Sequence, residues 1–286
     1  MSLPIGQKVS RPALRYRGGK WRSAPWIIEH FPPHECYVEP FMGAASVLLR
    51  KPRADFECIN DLNGSVVNFF RVLREQPAEL QQAITLTPYS RQEYRECRVP
   101  CPGNPIEWAR RLWVQHSLGR GRAEGANGGW RFQTAWNGWN ADVVGQFRKV
   151  EHFTEITDRL MGVQIEQGTW IDVVRRFDRP STLFYVDPPY PHITRPGSTN
   201  LYAHEMEDAD HERLAGELNG LDGMVVLSSY PNALYDSLFA GWRQEVRTEH
   251  AEAQKETTEV IYLNPACDTA LRAATAQIDF LEALRG

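Results

Sequence analysis

The sequence predicts an α/β fold, a mostly parallel sheet with helices on both faces, interrupted once by an insert. Two observations carry this. Short apolar runs alternate with amphipathic runs over residues 36–75 and again over 163–263, and the alternation stops between them. In order, "WRSAPWIIEHFP" (21–32) reads as a helix stopped by Pro32-Pro33. "CYVEP" (36–40) reads as a strand, "GAASVLLRK" (43–51) as a turn and helix, "FECIN" (56–60) as a strand and "LNGSVVNFFRVLRE" (62–75) as a helix. Past the interruption come a strand at 163–167, a helix at 170–178 and a strand at 182–187. A helix near 208–219, a strand at 224–230, a helix near 232–240 and strands near 243–248 and 258–263 complete the sheet. The interrupting stretch holds helical patterns such as "IEWARRLWVQHSL" (106–118) and a glycine-rich aromatic run at 119–140.

Several classes are excluded by composition. A chain of 286 residues with 42% hydrophobic and 24% charged residues is an ordinary globular one. The N-terminus lacks the apolar core of a secretory signal, and no apolar run reaches the ~18 residues of a membrane span. Five cysteines, an odd number, point to reduced thiols and a cytoplasmic setting. Cys97 and Cys101 lack a second ligand pair, and the eight histidines show no ligand spacing, so no metal is expected. Net charge is −4, unevenly spread: residues 1–152 carry 21 Lys+Arg against 14 Asp+Glu, residues 153–286 carry 11 against 22. A basic front half suits one face meeting a polyanion.

Three motifs carry chemistry. "YVEPFMGAASVLL" (37–49) ends a strand at Glu39-Pro40, after which Gly43, Ala44 and Ala45 let backbone approach a ligand. The bland alternative is small-residue packing at a strand–helix turn. No G-K-[ST] follows, so this is not a phosphate loop. Asp61 ends the second strand, placed to accept from ribose hydroxyls or to cap the helix after it. "TLFYVDPPYP" (182–191) ends an apolar strand on Asp187. Pro188 and Pro189 have fixed φ and no N–H, so they hold rigid carbonyl acceptors, and Tyr190 adds an aromatic face. A carboxylate, a fixed carbonyl and a ring suit a planar group bearing an exocyclic amine. A rigid turn with an acidic cap is the alternative; Asp-Pro-Pro-Tyr arises by chance in roughly one such chain in a thousand, which weakens it.

These pieces, with "RYRGGK" (15–20), "EPFMGAAS" (39–46), "NDLN" (60–63), "DPPY" (187–190), "LSSY" (227–230) and "TEVIYLNP" (258–265) in that order, resemble the class I S-adenosylmethionine-dependent DNA adenine methylases, the GATC-type group of bacteria and phages. The resemblance covers about residues 20–70 and 160–265. It implies a Rossmann-like mixed sheet, with residues 1–70 and 153–286 as the catalytic domain and 71–152 as a mainly helical target recognition insert. It implies S-adenosylmethionine as cofactor, with Tyr16, Gly18 and Lys20 near its methionine end. Glu39, Pro40, Phe41, Gly43, Ala44 and Ser46 form its first loop, and Asp61 is its ribose contact. Asp187, Pro188, Pro189 and Tyr190 become the corner that receives a flipped adenine, with Asp187 also beside the cofactor. Two positions depart from the family pattern. Thr169 stands where an acid is common, with Asp172 three residues on, and Ala45 stands where glycine is common. Ser228 and Ser229 have no His–Asp pattern nearby and are expected to line the pocket next to the cofactor rather than act as nucleophiles.

Within 71–152, 12 Lys+Arg stand against 8 Asp+Glu. Arg120, Arg122, Asn127, Arg131, Gln133 and Asn137 lie among Trp130, Phe132, Trp136 and Trp139. Arginines suit phosphates and guanine edges, amides suit base edges, and aromatic rings fill the gap of a flipped base. The alternative is a helical subdomain whose tryptophans form its own core; most of those tryptophans are expected to be core and the Gly-rich 119–131 loop to touch DNA. The expected function is methyl transfer to adenine N6 in double-stranded DNA, with no membrane and no obligate protein partner. No endonuclease-like domain is visible, so a lone methylase is expected. Cytosine N4 as acceptor, or a DNA-binding homologue without activity, remain as alternatives.

Overall fold

The computed structural model describes residues 9–119, 129–132, 143–194, 204–250 and 256–283. Seven strands form one sheet: β1 (Cys36–Glu39), β2 (Phe56–Asn60), β3 (Gln164–Glu166), β4 (Thr182–Val186), β5 (Met224–Ser229), β6 (Arg243–His250) and β7 (Glu256–Leu263). Their order is β3-β2-β1-β4-β5-β7-β6. The first five are parallel; β7 runs antiparallel between β5 and β6. This is the mixed, Rossmann-like α/β methyltransferase arrangement expected from the sequence. β1 pairs with β4 from Cys36↔Thr182 to Val38↔Phe184. The strand order reverses between these two, and the crevice at their carboxyl ends is where such sheets bind ligands.

β4 and β5 are buried along their whole length, and alternate residues serve opposite faces. Leu183, Tyr185 and Val226 join one apolar cluster. Phe184, Val186, Val225 and Leu227 join the other. Covered on both faces, these strands read as unbroken apolar runs.

The helices are α1 (Ala24–Ile28), α2 (Ser46–Arg50), α3 (Gly64–Glu75), α4 (Pro77–Thr85), α5 (Arg91–Glu96), α6 (Pro105–Leu118), α7 (Val143–Phe147), α8 (Phe153–Leu160), α9 (Trp170–Phe177), α10 (Asp208–Leu218), α11 (Ala233–Leu238) and α12 (Pro265–Ala283). The expected helix at 21–32 shrinks to α1. Pro25 limits its start, and the amides of His30 and Phe31 turn back to Ile27 and Ile28, three residues behind, closing it before Pro32. Helices α4, α5, α8 and α12 were not read from the sequence. In α12 the proline at its first position reads as a strand stop, yet Pro is favoured at a helix N1. No described helix is long and apolar enough to cross a membrane.

The described part of residues 71–152 has no core of its own. Leu80, Ile84, Leu112, Trp113 and Leu118 share one cluster with Phe69, Phe70 and Phe153, continuous with the sheet face. Of the tryptophans expected to be core, Trp130 packs half-buried against that cluster, while Trp136 and Trp139 lie outside the described residues.

A charged knot joins β2 to its surroundings near the amino ends of the strands. Glu57 Oε1 lies 2.8 Å from Lys51 Nζ, and Glu57 Oε2 lies 2.5 Å from Arg159 Nη1 on α8. All three side chains are almost fully buried, and the two cations hold the Glu57 carboxyl below its usual range despite that burial. Removing one partner of such a set strands the others in a poor solvent. We therefore expect Glu57→Gln to destabilise the fold by about 3–5 kcal/mol in urea titrations.

Candidate active site

The crevice is a cavity of about 340 Å³, walled by the loops that follow β1, β2, β3 and β4, by residues 16–20 and by 204–213. Tyr16, Gly18, Lys20, Glu39, Pro40, Phe41, Gly43, Ala44, Ser46, Asp61, Thr169, Asp187, Pro188 and Pro189 all line it. Residues read from four separate motifs, with Thr169, thus meet in one place.

Asn60, the buried last residue of β2, ties the loops together. Its side chain donates to the carbonyls of Pro40 (2.9 Å) and Gly168 (3.1 Å) and accepts from Gly168 N (2.9 Å). Asp61 then fastens the glycine loop, accepting from Gly43 N at 3.0 Å and from Asn63 N at 2.9 Å. The helix after it begins at Gly64 and is capped by Asn63, not Asp61. Gly43 has φ +46°, and a methyl there would come within 3.1 Å of the Tyr16 ring. Ala45 has φ 49° with its side chain fully buried. A left-handed turn of this kind costs a non-glycine residue about 1 kcal/mol or more, which is why glycine suits this position and alanine departs from the pattern.

Glu39 is 2% exposed. Its Oε1 accepts from Tyr37 OH and Leu48 N, both at 2.6 Å. Burial nonetheless pushes its carboxyl up to about 7. Ser46 Oγ is buried against the same cavity with no protein partner. A carboxylate that resists ionisation and an unmet hydroxyl both fit a polar, cationic ligand group. Farther along, Phe41 and Trp170 stack at 6.1 Å and form an apolar wall. Thr169 lines that end and caps α9, accepting from Asp172 N (3.3 Å). Asp172 is exposed on the helix, away from the cavity lining, and does not replace the expected acid. Trp170 and Asn60 were missed as individual site residues; Asn60 opens the quoted NDLN stretch and Trp170 follows Thr169.

At the corner, Asp187 Oδ1 lies 3.1 Å from Lys20 Nζ. Burial pushes the Asp187 carboxyl up to about 6, against the pull of Lys20. Since 19% of the side chain still opens to the cavity, it is a carboxylate at neutral pH. Lys20 was assigned to the cofactor's methionine end; its ammonium reaches the DPPY corner. Tyr190 is buried, with Lys20 Nζ 4.8 Å from its ring centroid and Tyr230 edge-on at 4.7 Å. Its hydroxyl donates to Glu259. Ser228 and Ser229, expected beside the cofactor, do not line the cavity. Both are fully buried, Ser228 bonding Tyr185 OH and Ser229 accepting from Asn232, because β5 is covered on both faces.

Of the DNA-contact candidates, Arg120, Arg122, Asn127, Gln133 and Asn137 lie outside the described residues. Arg131 is described. Its amide donates to Leu118 O and its carbonyl accepts from Tyr89 OH, both at 2.7 Å, fixing it beside the C-terminus of α6. Gly119 and Trp130 bridge antiparallel there, and the Arg91 guanidinium lies 4.9 Å from the Trp130 ring and 5.3 Å from Phe132. His116 of the same helix stacks at 5.2 Å on Tyr16, which lines the cavity.

The fold and cavity define a class, the Rossmann-like α/β domains with a ligand crevice at the strand-order reversal. Residues 16–110 match the family model of the D12 class N6 adenine-specific DNA methyltransferases. The chain is 33% identical over 76 residues to the DNA adenine methylase of Escherichia coli K12, covering 27% of each chain. It is 38% identical over 72 residues to that of Vibrio cholerae serotype O1 (24% of this chain, 25% of that one) and 33% over 67 residues to that of Serratia marcescens (23% and 24%). These matches bear out the resemblance to the DNA adenine methylases. The aligned stretches span about a quarter of each relative, and the family match ends before Asp187.

Two outcomes follow for this site. Glu39 carries a folded-state value above its unfolded one, so its ionisation costs stability as pH rises from about 4.5 to about 7. Glu39→Gln is expected to raise the melting temperature at pH 8 and to lose that gain by pH 5, read by calorimetry. Gly43→Ala is expected to weaken ligand binding in titration calorimetry, because the methyl meets Tyr16 in a left-handed turn.

Proposed function

We propose that the protein transfers a methyl group from S-adenosylmethionine to the exocyclic N6 of an adenine flipped out of double-stranded DNA. The observation that carries this reading is the corner itself: Asp187 and two rigid prolines open into the same cavity as the Glu39–Ser46 loop and Asp61. A methyl donor and an acceptor amine are thereby served from one crevice.

In this reading Glu39 faces the cofactor's ammonium, Asp61 its ribose, and Phe41 and Trp170 its base. The cofactor supplies an electrophilic methyl on a sulfonium. Asp187 and the Pro188 carbonyl accept the two N–H bonds of the amine, drawing its lone pair out of conjugation and aiming it along the methyl axis. The barrier falls through positioning and electrostatics, with no covalent enzyme intermediate and no role for the five cysteines. The nitrogen gains a methyl and sheds one proton, and the raised Asp187 carboxylate is placed to accept it. Residues 71–152 serve as the target recognition insert, with the Arg131 segment and the Arg91–Trp130–Phe132 group facing DNA. The Tyr16–His116 stack supports this arrangement, because it joins that insert to the cofactor loop.

The test uses labelled S-adenosylmethionine and unmethylated DNA. Asp187→Ala is expected to abolish transfer while retaining cofactor binding and the far-UV spectrum. Undiminished turnover in that variant sinks the reading. In the wild type, transfer is expected to decline as pH falls through about 6, where Asp187 takes up a proton and ceases to accept from the amine.

A further inference from the structure

The sheet register puts one further residue at the corner. β5 pairs with β7 through Ser229↔Val260 and goes no farther. β7 does go farther, because β6 continues to pair with it through Arg247↔Glu259 and on to His250↔Glu256. Glu259 is therefore the first β7 residue beyond the carboxyl end of β5, held extended by the edge strand. Its side chain is 12% exposed and turns into the site. Its Oε1 accepts from Tyr190 OH at 2.5 Å and lies 3.3 Å from Lys20 Nζ.

Lys20 completes a closed circuit. Its ammonium lies 3.1 Å from Asp187 Oδ1 and donates to the Gly18 carbonyl at 2.9 Å. Asp187, Lys20, Glu259 and Tyr190 follow one another in space, and Pro188-Pro189 join Tyr190 back to Asp187 along the chain. Three distant segments, 18–20, 187–190 and 259, thus meet on one ammonium and one carboxylate.

We infer that Glu259 is a positioning residue, which acts through Lys20 and Tyr190 to fix the Asp187–Tyr190 corner for the incoming base. The inference rests on the reaction proposed above. Two rigid prolines fix the middle of the turn but not its ends. Glu259 fixes both ends: Tyr190 through its hydroxyl, and Asp187 through the shared lysine. The ion pair uses Oδ1 of Asp187, and the Tyr190 hydroxyl adds a hydrogen bond that also favours the ionised carboxylate. The ionisable groups around Asp187 are Lys20 and Glu259, with Tyr190, Tyr185, Tyr230, Tyr235 and the carboxyl of Glu39; Tyr230 also faces Glu259, Lys20 and Arg17. Among these, Glu259 opposes and Lys20 favours the ionised form of Asp187.

The experiment compares wild type, E259Q, E259A, Y190F and E259A/Y190F by single-turnover methyl transfer across pH. E259Q retains an oxygen for Tyr190 but loses the charge. The brace predicts that its rate constant falls about ten- to a hundredfold, the scale of an ångström-level misplacement. Cofactor affinity stays at the wild-type value. The acid limb of its pH profile moves to lower pH, because a negative charge near Asp187 is gone and the Lys20 ammonium is no longer shared between two carboxylates. E259A and Y190F are expected to be non-additive, the double variant being no slower than the slower single. A wild-type rate and acid limb in E259Q, or penalties that multiply in the double variant, overturn the brace. Should the wild type itself transfer no methyl, the proposed reaction fails. The brace is then decided by the titration of the Asp187 side-chain carboxyl in carbon-13 NMR, assigned with D187N. A lower Asp187 pKa in E259Q upholds the brace, and an unchanged one refutes it.

Discussion

The pairing of β1 with β4 is the constraint on which the rest depends. These strands are distant in sequence, yet their register from Cys36↔Thr182 to Val38↔Phe184 carries Glu39 and Asp187 to the same carboxyl edge, where both line the cavity. The sheet order reverses there, so the two following loops diverge and leave a crevice. Every other feature of the site secures that crevice. Asn60 laces the loops after β1 and β3 to β2, Asp61 holds the glycine turn, and Lys20 closes the corner from the N-terminal segment.

That pairing has an electrostatic consequence. Two carboxyls, Glu39 and Asp187, are withdrawn from water, and burial raises the pKa of both, the Asp187 charge adding to the effect at Glu39 and the Glu259 charge at Asp187. Lys20 offsets part of that cost at Asp187. In the proposed reading a cationic ligand does so at Glu39, and perturbed carboxyls in a cleft commonly mark function.

Much of this was legible in the sequence. Strands buried on both faces read as apolar runs, and the turns after them carry Gly, Asn, Asp and Pro, whose backbone demands are local. The DPPY corner and the glycine loop could therefore be found by eye. What escaped depends on long-range packing. Glu259 lies in the quoted TEVIYLNP stretch, but no role could be read for it, because it reaches Tyr190 only where β7 overruns β5. Ser228 and Ser229 look like pocket residues, yet β5 is covered on both faces and turns them inward. The helix α12 hid behind Pro265, a residue that opens helices as readily as it closes strands. Thr169 reads as a lost acid and proves to be a helix cap on the cavity wall, with Asp172 turned to solvent.

The central claim is that this crevice joins a methyl donor to an amine of adenine. The most direct measurement is the identity of the labelled nucleoside after the protein acts on unmethylated genomic DNA with labelled S-adenosylmethionine, read by digestion and mass analysis. The account predicts N6-methyladenine. Label on cytosine N4 contradicts the choice of base while keeping the Asp187 corner. DNA that is bound but unlabelled contradicts the account as a whole.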